Sequence, residues 1–360
     1  MKIVVYSPTY HPIIDGTSIQ AIRLVKELSK KHEVYGLGYA VNRDICLDKK
    51  LLTINDNIER LLPDYLDESG KFPKLSGASI VLRLADIIPD IVHIRGWYQF
   101  EAVKEIFNAS KSMNSITYWH GDGLHECHEA YKNNQKYVDC ISNAVLKDVN
   151  FIGNSSQDTK LFINMGIPKN RIFEIAPFLQ ESAYNTKDWN NPRIITIGRF
   201  FDFKRQNKVI DVSQKINPKL DVIVAGASDT QYFTKFLEKN KSKASIIIDP
   251  SDSLVKTLYD TSTHFVLASE IETLGIVTLE SIKAGCVPLA RKIGGIKSYL
   301  SDTYLFESDV EMESKLRFLL KPDNALTAYN ELQLLRDSLS NTAILKKLYD
   351  IYEKSARLSK

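Results

Sequence analysis

Short apolar runs alternate with segments of helical period along most of the chain, and no other feature restricts the fold as tightly. Lys2–Ser7, Val34–Gly38, Ile91–Ile94, Ser115–Trp119 and Phe151–Asn154 read as strands in the first half. A strand covered on both faces shows such a run rather than a polar/apolar alternation, and parallel neighbours need a helix to carry the chain back. The intervening segments supply that helix: from about Ser18 to Lys31, Ile22, Leu24, Val25 and Leu28 form one apolar stripe. Between Cys46 and Ser79 the periodicity is broken by Pro63, Gly70, Pro73 and Gly77, which predicts a short helix and a loop.

The pattern runs twice. It stops around Ala176–Pro192 and restarts with strands expected at Arg193–Ile197, Asp221–Ala225, Ser245–Ile248, His264–Ala268 and Val287–Ala290. After about Ser308 it is helical to the end. A chain of 360 residues, at about 150 per domain, agrees with two α/β domains. The expectation is a doubly wound, Rossmann-like domain over 1–178, a linker over 179–192 and a second such domain over 193–340. Residues 341–360 form a helix expected to pack back on the first domain. Such domains bind ligands at the carboxyl ends of their strands, so two of them facing across a cleft would place the site there.

Composition removes several classes. The net charge of +3 comes with no basic stripe, and Lys235, Lys239, Lys241 and Lys243, following an expected helix, read as a solvated face, so no nucleic-acid partner is expected. Cys46, Cys127, Cys140 and Cys286 lack C-x-x-C spacing and read as reduced thiols of a cytoplasmic protein. MKIVVYSP opens as a strand rather than a secretory signal, and no apolar run reaches the roughly 18 residues of a membrane span.

The segment Glu272-Thr-Leu-Gly-Ile-Val-Thr-Leu-Glu280 sits where a strand ends and a helix begins. The amides of Leu274, Gly275 and Ile276 would lie unpaired at the helix N-terminus, a place suited to an anion. Glu280, a little over one turn into the helix, can accept two hydrogen bonds from a diol such as a ribose, and Glu272 can accept from hydroxyls beside the phosphates. Arg199 and Lys204, on the loop after another strand, are either a diphosphate clamp or a solvated pair. Gly16 is a point of phosphate approach, part of a helix start capped by Thr17 or Ser18, or both at once. Trp97 and Tyr98 either stack on an acceptor sugar or pack. His120 ends a strand and is either satisfied by backbone or functional.

Taken together these residues resemble the retaining GT-B glycosyltransferases, in particular glycosyltransferase family 4. Ser269, Glu272, Gly275, Glu280, Gly285, Pro288 and Gly294-Gly295 keep the spacing of that family's E-x7-E phrase. Gly198-Arg199 with Lys204, Asp90-Ile-Val-His93, Asn154-Ser155-Ser156 and Gly166-Ile-Pro168 extend the likeness over most of residues 1–305. The resemblance implies a GT-B fold whose first domain is the acceptor side and whose second binds a nucleotide sugar, a UDP- or GDP-sugar. It implies that Arg199 and Lys204 hold the donor diphosphate with Gly16 and the amides of Leu274, Gly275 and Ile276. It puts Glu280 on the ribose and makes Glu272 and His120 the catalytic pair at the donor sugar. Asp15 stands where the family usually has the first of two glycines, and Pro177-Phe-Leu-Gln replaces an asparagine-glycine phrase.

His120, His125, Cys127 and His128, with Glu126 and Glu129, invite a zinc reading, yet His125-Glu-Cys-His128 is one residue short of H-E-x-x-H. No Asp-x-Asp occurs. The expectation is therefore a metal-independent, anomer-retaining transferase without a cofactor. It would pass a sugar to a hydroxyl of a glycan, lipid or other acceptor, in the cytoplasm or at the inner face of a membrane. A sugar-nucleotide epimerase or hydrolase, and a non-catalytic binding partner of another transferase, are the alternatives.

Overall fold

The computed structural model describes residues 1–8, 16–39, 58–61, 65–66, 73–74, 77–97, 99–180, 186–228 and 232–358. The chain divides into two compact units, Met1–Phe178 with Ile344–Lys360, and Leu179–Ala343.

The first unit is built on a parallel sheet of β1 (Lys2–Tyr6), β2 (Glu33–Tyr39), β3 (Ile58–Leu61), β6 (Ile91–Arg95), β7 (Ile116–His120), β8 (Asn150–Gly153) and β9 (Ile172–Glu174), in the order β3-β2-β1-β6-β7-β8-β9. A separate pair, β4 (Tyr65–Leu66) and β5 (Pro73–Lys74), runs antiparallel. Within β1, Val4 and Tyr6 enter one core and Ile3 and Val5 the other, as the two-residue period of a strand demands. Helix α1 (Gly16–Leu28) covers the second face with Ala21, Leu24, Val25 and Leu28. The first face is covered by α2 (Ala78–Ile87), α3 (Phe100–Ser112) and α5 (Gln135–Leu146), with α4 (Leu124–Tyr131) and α6 (Ser156–Asn164) following β7 and β8.

Ile58–Leu61 lies inside the stretch expected to form a helix and a loop. It is instead an edge strand paired in parallel with β2 through Gly36↔Ile58 to Tyr39↔Leu61. Four residues carry too little periodicity to announce themselves, and the strand is defined by its partner rather than by its own pattern.

The second unit repeats the plan. Its sheet comprises β10 (Arg193–Ile197), β11 (Asp221–Gly226), β12 (Ser245–Ile248), β13 (His264–Leu267), β14 (Val287–Arg291) and β15 (Leu305–Phe306), all parallel and ordered β12-β11-β10-β13-β14-β15. The helices are α7 (Gln206–Ile216), α8 (Tyr232–Asn240), α9 (Asp252–Thr261), α10 (Ile276–Lys283), α11 (Asp309–Leu319), α12 (Pro322–Glu331) and α13 (Gln333–Ser338). Both units are thus doubly wound α/β layers. The last helix, α14 (Asn341–Leu358), sets Ile344, Leu348, Ile351 and Tyr352 into the core formed by Ile3, Val5 and Tyr118.

In each sheet the winding reverses at one pair of strands, β1/β6 in the first unit and β10/β13 in the second. At such a point the two following loops diverge and leave a crevice at the carboxyl ends.

Burial of neutral imidazoles has a consequence for stability. His264 is wholly buried, donates from Nε2 to the carbonyl of Leu319 at 3.0 Å, has Nδ1 2.8 Å from the Thr263 hydroxyl, and is pushed by burial down to about 4. Because the unfolded imidazole titrates near 6.5, acidification below that value protonates only the unfolded chain, so stability falls as pH drops from about 6.5 toward 4. His264 alone is expected to cost about 2 kcal/mol at pH 5 relative to pH 7. Denaturant unfolding of the wild type and His264→Gln at the two pH values checks this: the variant should lose less stability on acidification.

Candidate functional site

In the second unit the residues after β10 and β13 come together at the switch point. Gly198 is tied by its amide to Ala225 at 3.0 Å, and Gln206 donates to the carbonyls of Gly198 at 2.8 Å and Arg199 at 3.3 Å. The chain then makes a short 3-10 turn over Asp202–Lys204 and enters α7 through Arg205 in the left-handed region, φ +53°. The amide of Glu270 donates to the carbonyl of Phe203 at 2.8 Å, which fastens this loop to the one after β13.

The joined loops set the Lys204 ammonium 2.8 Å from the Glu272 carboxylate, with side chains 20% and 15% exposed. A pair so shielded is screened less than a surface pair. Arg205 turns away, donating to both carboxylate oxygens of Asp309 at 2.8 and 2.9 Å, with Glu270 at 3.5 Å. Arg199 stands half-buried on the same loop.

Gly275 begins α10 at φ +70°, and a side chain there would meet Ile296 and Tyr299. Tyr299, its hydroxyl raised by burial, donates to the carbonyl of Leu274 at 2.8 Å, and the amide of Gly295 to that of Thr273 at 2.5 Å. Gly294 is also left-handed, and a Cβ there would run into the carbonyls of Glu272 and Thr273. The two glycines of residues 294–295 therefore serve close backbone approach to the loop that carries Glu272. Among the described residues no acceptor lies against the amides of Leu274, Gly275 and Ile276. Glu280 is buried in the second turn of α10.

Gly294→Ala is expected to push the Glu272 loop outward, lowering the melting temperature by several degrees, since a backbone clash at a left-handed residue costs on the order of 1–3 kcal/mol. A calorimetric melt unchanged from wild type would show that the loop relaxes freely.

In the first unit Gly16 starts α1, with open space where a Cβ would stand; Asp15 and the loop before it lie outside the described residues, as does Tyr98. Trp97 is fully buried, stacked on Trp119 at 3.8 Å between centroids, and donates through its indole nitrogen to the carbonyl of His120 at 2.9 Å. An indole so placed packs and presents no open face to a sugar.

His120 ends β7, 2% exposed, inside a polar chain. Its Nδ1 lies 3.1 Å from Nε2 of His93, whose Nδ1 lies 2.7 Å from the hydroxyl of Tyr352 on α14. Its Nε2 lies 3.0 Å from Oδ1 of Asn154, whose Nδ2 donates to Asp122 at 3.4 Å. Asp122 in turn is held by Arg95 at 2.6 and 2.8 Å. Burial holds both imidazoles well below their ordinary value, and the Arg95 guanidinium adds to the effect on each.

The other residues of the His-rich segment go elsewhere. His125 pairs with Asp158 at 2.9 Å, Cys127 donates to the carbonyl of Trp97 and His128 sits beside the Tyr137 hydroxyl. No three His, Cys, Asp or Glu side chains among the described residues are grouped as a metal would need.

His93, Arg95, Asp122, Asn154 and Tyr352 were not among the expected site residues. His93-x-Arg95 and His120-x-Asp122 carry a signal, since polar residues two apart at the ends of apolar strands share a face. Tyr352, on a helix far along the chain, carries none.

Residues 180–330 match the family model described as Glycosyl transferases group 1. A glycogen synthase of Petrotoga mobilis is 33% identical over 132 residues, 34% of this chain and 26% of that protein. One from Clostridium novyi is 28% identical over 188 residues, 50% of this chain and 37% of its own length. The chain thus spans well under half of these relatives. Among solved structures, HepE of Anabaena in complex with UDP superposes with a TM-score of 0.76 at 16% identity, covering 99% of this chain and 100% of that one. Sucrose-phosphate synthase from Thermosynechococcus elongatus gives 0.76 at 14% identity, covering 99% of each. At such identities the superpositions establish the GT-B fold.

Proposed function

We propose that the chain, whose second unit is similar in sequence to group 1 glycosyl transferases, is a retaining, metal-independent glycosyltransferase. It moves a sugar from a nucleotide-diphosphate donor to a hydroxyl acceptor. The observation that carries this is the Lys204–Glu272 pair at the β10/β13 switch point, beside Arg199 and the start of α10, inside the matched stretch. Neighbouring folds with UDP and with UDP-glucose make a UDP-sugar the first donor to test, with GDP-sugars next.

On this reading Lys204 and Arg199 neutralise the departing diphosphate together with the amides of Leu274, Gly275 and Ile276, which is the charge stabilisation that dominates such a step. Two fixed cations and a helix terminus supply what a divalent ion supplies in other transferases. Glu280 accepts from the ribose diol. Glu272, released from Lys204 as the diphosphate takes the ammonium, accepts from hydroxyls of the donor sugar. Gly16 adds a close approach at the phosphates, and His120 holds the sugar. The acceptor hydroxyl, on a glycan or lipid-linked chain, attacks from the face the diphosphate leaves, with a phosphate oxygen taking its proton. No described helix is long and apolar enough to cross a membrane. Work in the cytoplasm, at a membrane's inner face where the acceptor is a lipid, fits the same reading.

A thermal-shift screen with UDP, GDP, ADP and CMP identifies the nucleotide, because a ligand of the native state raises its melting point. Turnover of the matching sugar nucleotide with and without acceptors then separates transfer from hydrolysis or epimerisation. No shift with any nucleotide and no turnover would sink the reading. Transfer is expected to survive EDTA; a loss restored by Mg2+ or Mn2+ would overturn metal independence.

A further inference from the structure

The polar chain in the first unit has a direction, and the direction assigns every hydrogen in it. Asp122 receives both arms of Arg95, so its carboxylate is an acceptor only. Asn154 must therefore face it with the amide nitrogen, which leaves Oδ1 toward His120 at 3.0 Å. A carbonyl oxygen cannot donate, so Nε2 of His120 carries a hydrogen. Burial keeps this ring uncharged, with a single hydrogen, so Nδ1 is a lone pair. His93 must then donate to it from Nε2 across 3.1 Å and accept at Nδ1 from the Tyr352 hydroxyl across 2.7 Å.

The reverse direction fails at the far end. It would make the Tyr352 oxygen an acceptor and send the phenolic hydrogen elsewhere. Tyr352 is fully buried, and among the described residues His93 is the one hydrogen-bond partner of its hydroxyl. The reversed chain leaves a buried O–H with nothing to bond, as well as Asn154 oxygen against carboxylate oxygen. Both ends thus select the same polarity.

We infer that Tyr352 and His93 are positioning residues that hold His120 as a neutral imidazole with its hydrogen on Nε2. What His120 offers a ligand is then a hydrogen-bond donor, and its partner is an oxygen with a free lone pair, such as a sugar hydroxyl, taking the place of Asn154 Oδ1. This deepens the proposed reaction and, in its activity arm, rests on it. It also gives α14 a part in the site: the helix crosses the length of the sequence to deliver one hydroxyl to His93.

Nitrogen-15 NMR of the imidazoles at pH 7, in the full chain, reads the assignment without any substrate. The expected spectrum shows His93 and His120 both neutral, with the hydrogen on Nε2. In Tyr352→Phe the Nδ1 resonance of His93 should move as its donor disappears, and transfer should slow three- to tenfold at unchanged donor KM. His93→Gln, which keeps an amide N–H to offer His120, should retain more transfer than His93→Leu, each compared at a temperature where circular dichroism shows the variant folded. A charged His120, or one with its hydrogen on Nδ1, overturns the inference. So does a folded Tyr352→Phe with wild-type spectrum and wild-type turnover. A wild type that transfers no sugar at all would instead sink the proposed reaction, and the spectrum would still decide the tautomer.

Discussion

Glu272→Gln is expected to slow transfer by roughly ten- to a hundredfold while tightening the binding of free nucleoside diphosphate several-fold. The two effects have one origin. The Glu272 carboxylate neutralises Lys204 at 2.8 Å, so an incoming diphosphate has to draw the ammonium away from that partner. The amide of glutamine is nearly isosteric and uncharged; it leaves Lys204 free for the phosphates and removes that competition. On the proposed reading the same change weakens acceptance from the sugar hydroxyls, and a hydrogen bond to a charged group is worth about 1.5–3 kcal/mol, which sets the size of the loss. Glu280→Gln should do the opposite to binding, since on the proposed reading this buried carboxylate on α10 accepts from the ribose of the nucleotide itself. Lys204→Ala and Arg199→Ala should weaken nucleotide and donor alike. Calorimetry with UDP or the nucleotide found by thermal shift, beside initial rates, checks the set. Weaker nucleotide binding by Glu272→Gln would move that carboxylate from the sugar to the nucleotide.

Much of this arrangement is legible in the amino-acid order, and the part that is not has identifiable causes. Strands such as Arg193–Ile197 and His264–Leu267 announce themselves because both faces are buried and every residue must be apolar. What the runs do not carry is their lateral order. That β10 lies beside β13 follows from helix packing and right-handed crossovers, and only that neighbourhood brings Lys204 to Glu272. The E-x7-E spacing marks Glu272 and Glu280, but the diversion of Arg205 to Asp309 depends on a helix more than a hundred residues on. Trp97 shows the converse case. An aromatic after a strand suits stacking on a sugar as well as a core, and only the presence of Trp119 across from it decides.

The histidine network separates structure from chemistry least easily, because on the proposed reading the same ring serves both. His120→Ala is expected to lower transfer about ten- to a hundredfold, roughly 1.4–2.7 kcal/mol in the transition state. It is also expected to lower the melting temperature, for a reason hidden in the sequence: both ring nitrogens are engaged, so deletion strands the Nε2–H of the fully buried His93 and takes a partner from Oδ1 of the half-buried Asn154. A stranded buried group costs about 1–3 kcal/mol, the figure that applies to His93. A slower and less stable enzyme would be ambiguous by itself. Nucleotide affinity removes the ambiguity, because on this reading it is carried by Arg199, Lys204 and Glu280 in the other unit. His120→Ala measured well below its melting temperature should bind nucleoside diphosphate as the wild type does and still transfer slowly. His125→Ala, which removes a half-exposed ring paired with Asp158, should cost far less. Wild-type turnover by folded His120→Ala would make the imidazole a structural link between β6, β7 and α14, and the sugar would have to be held by other groups.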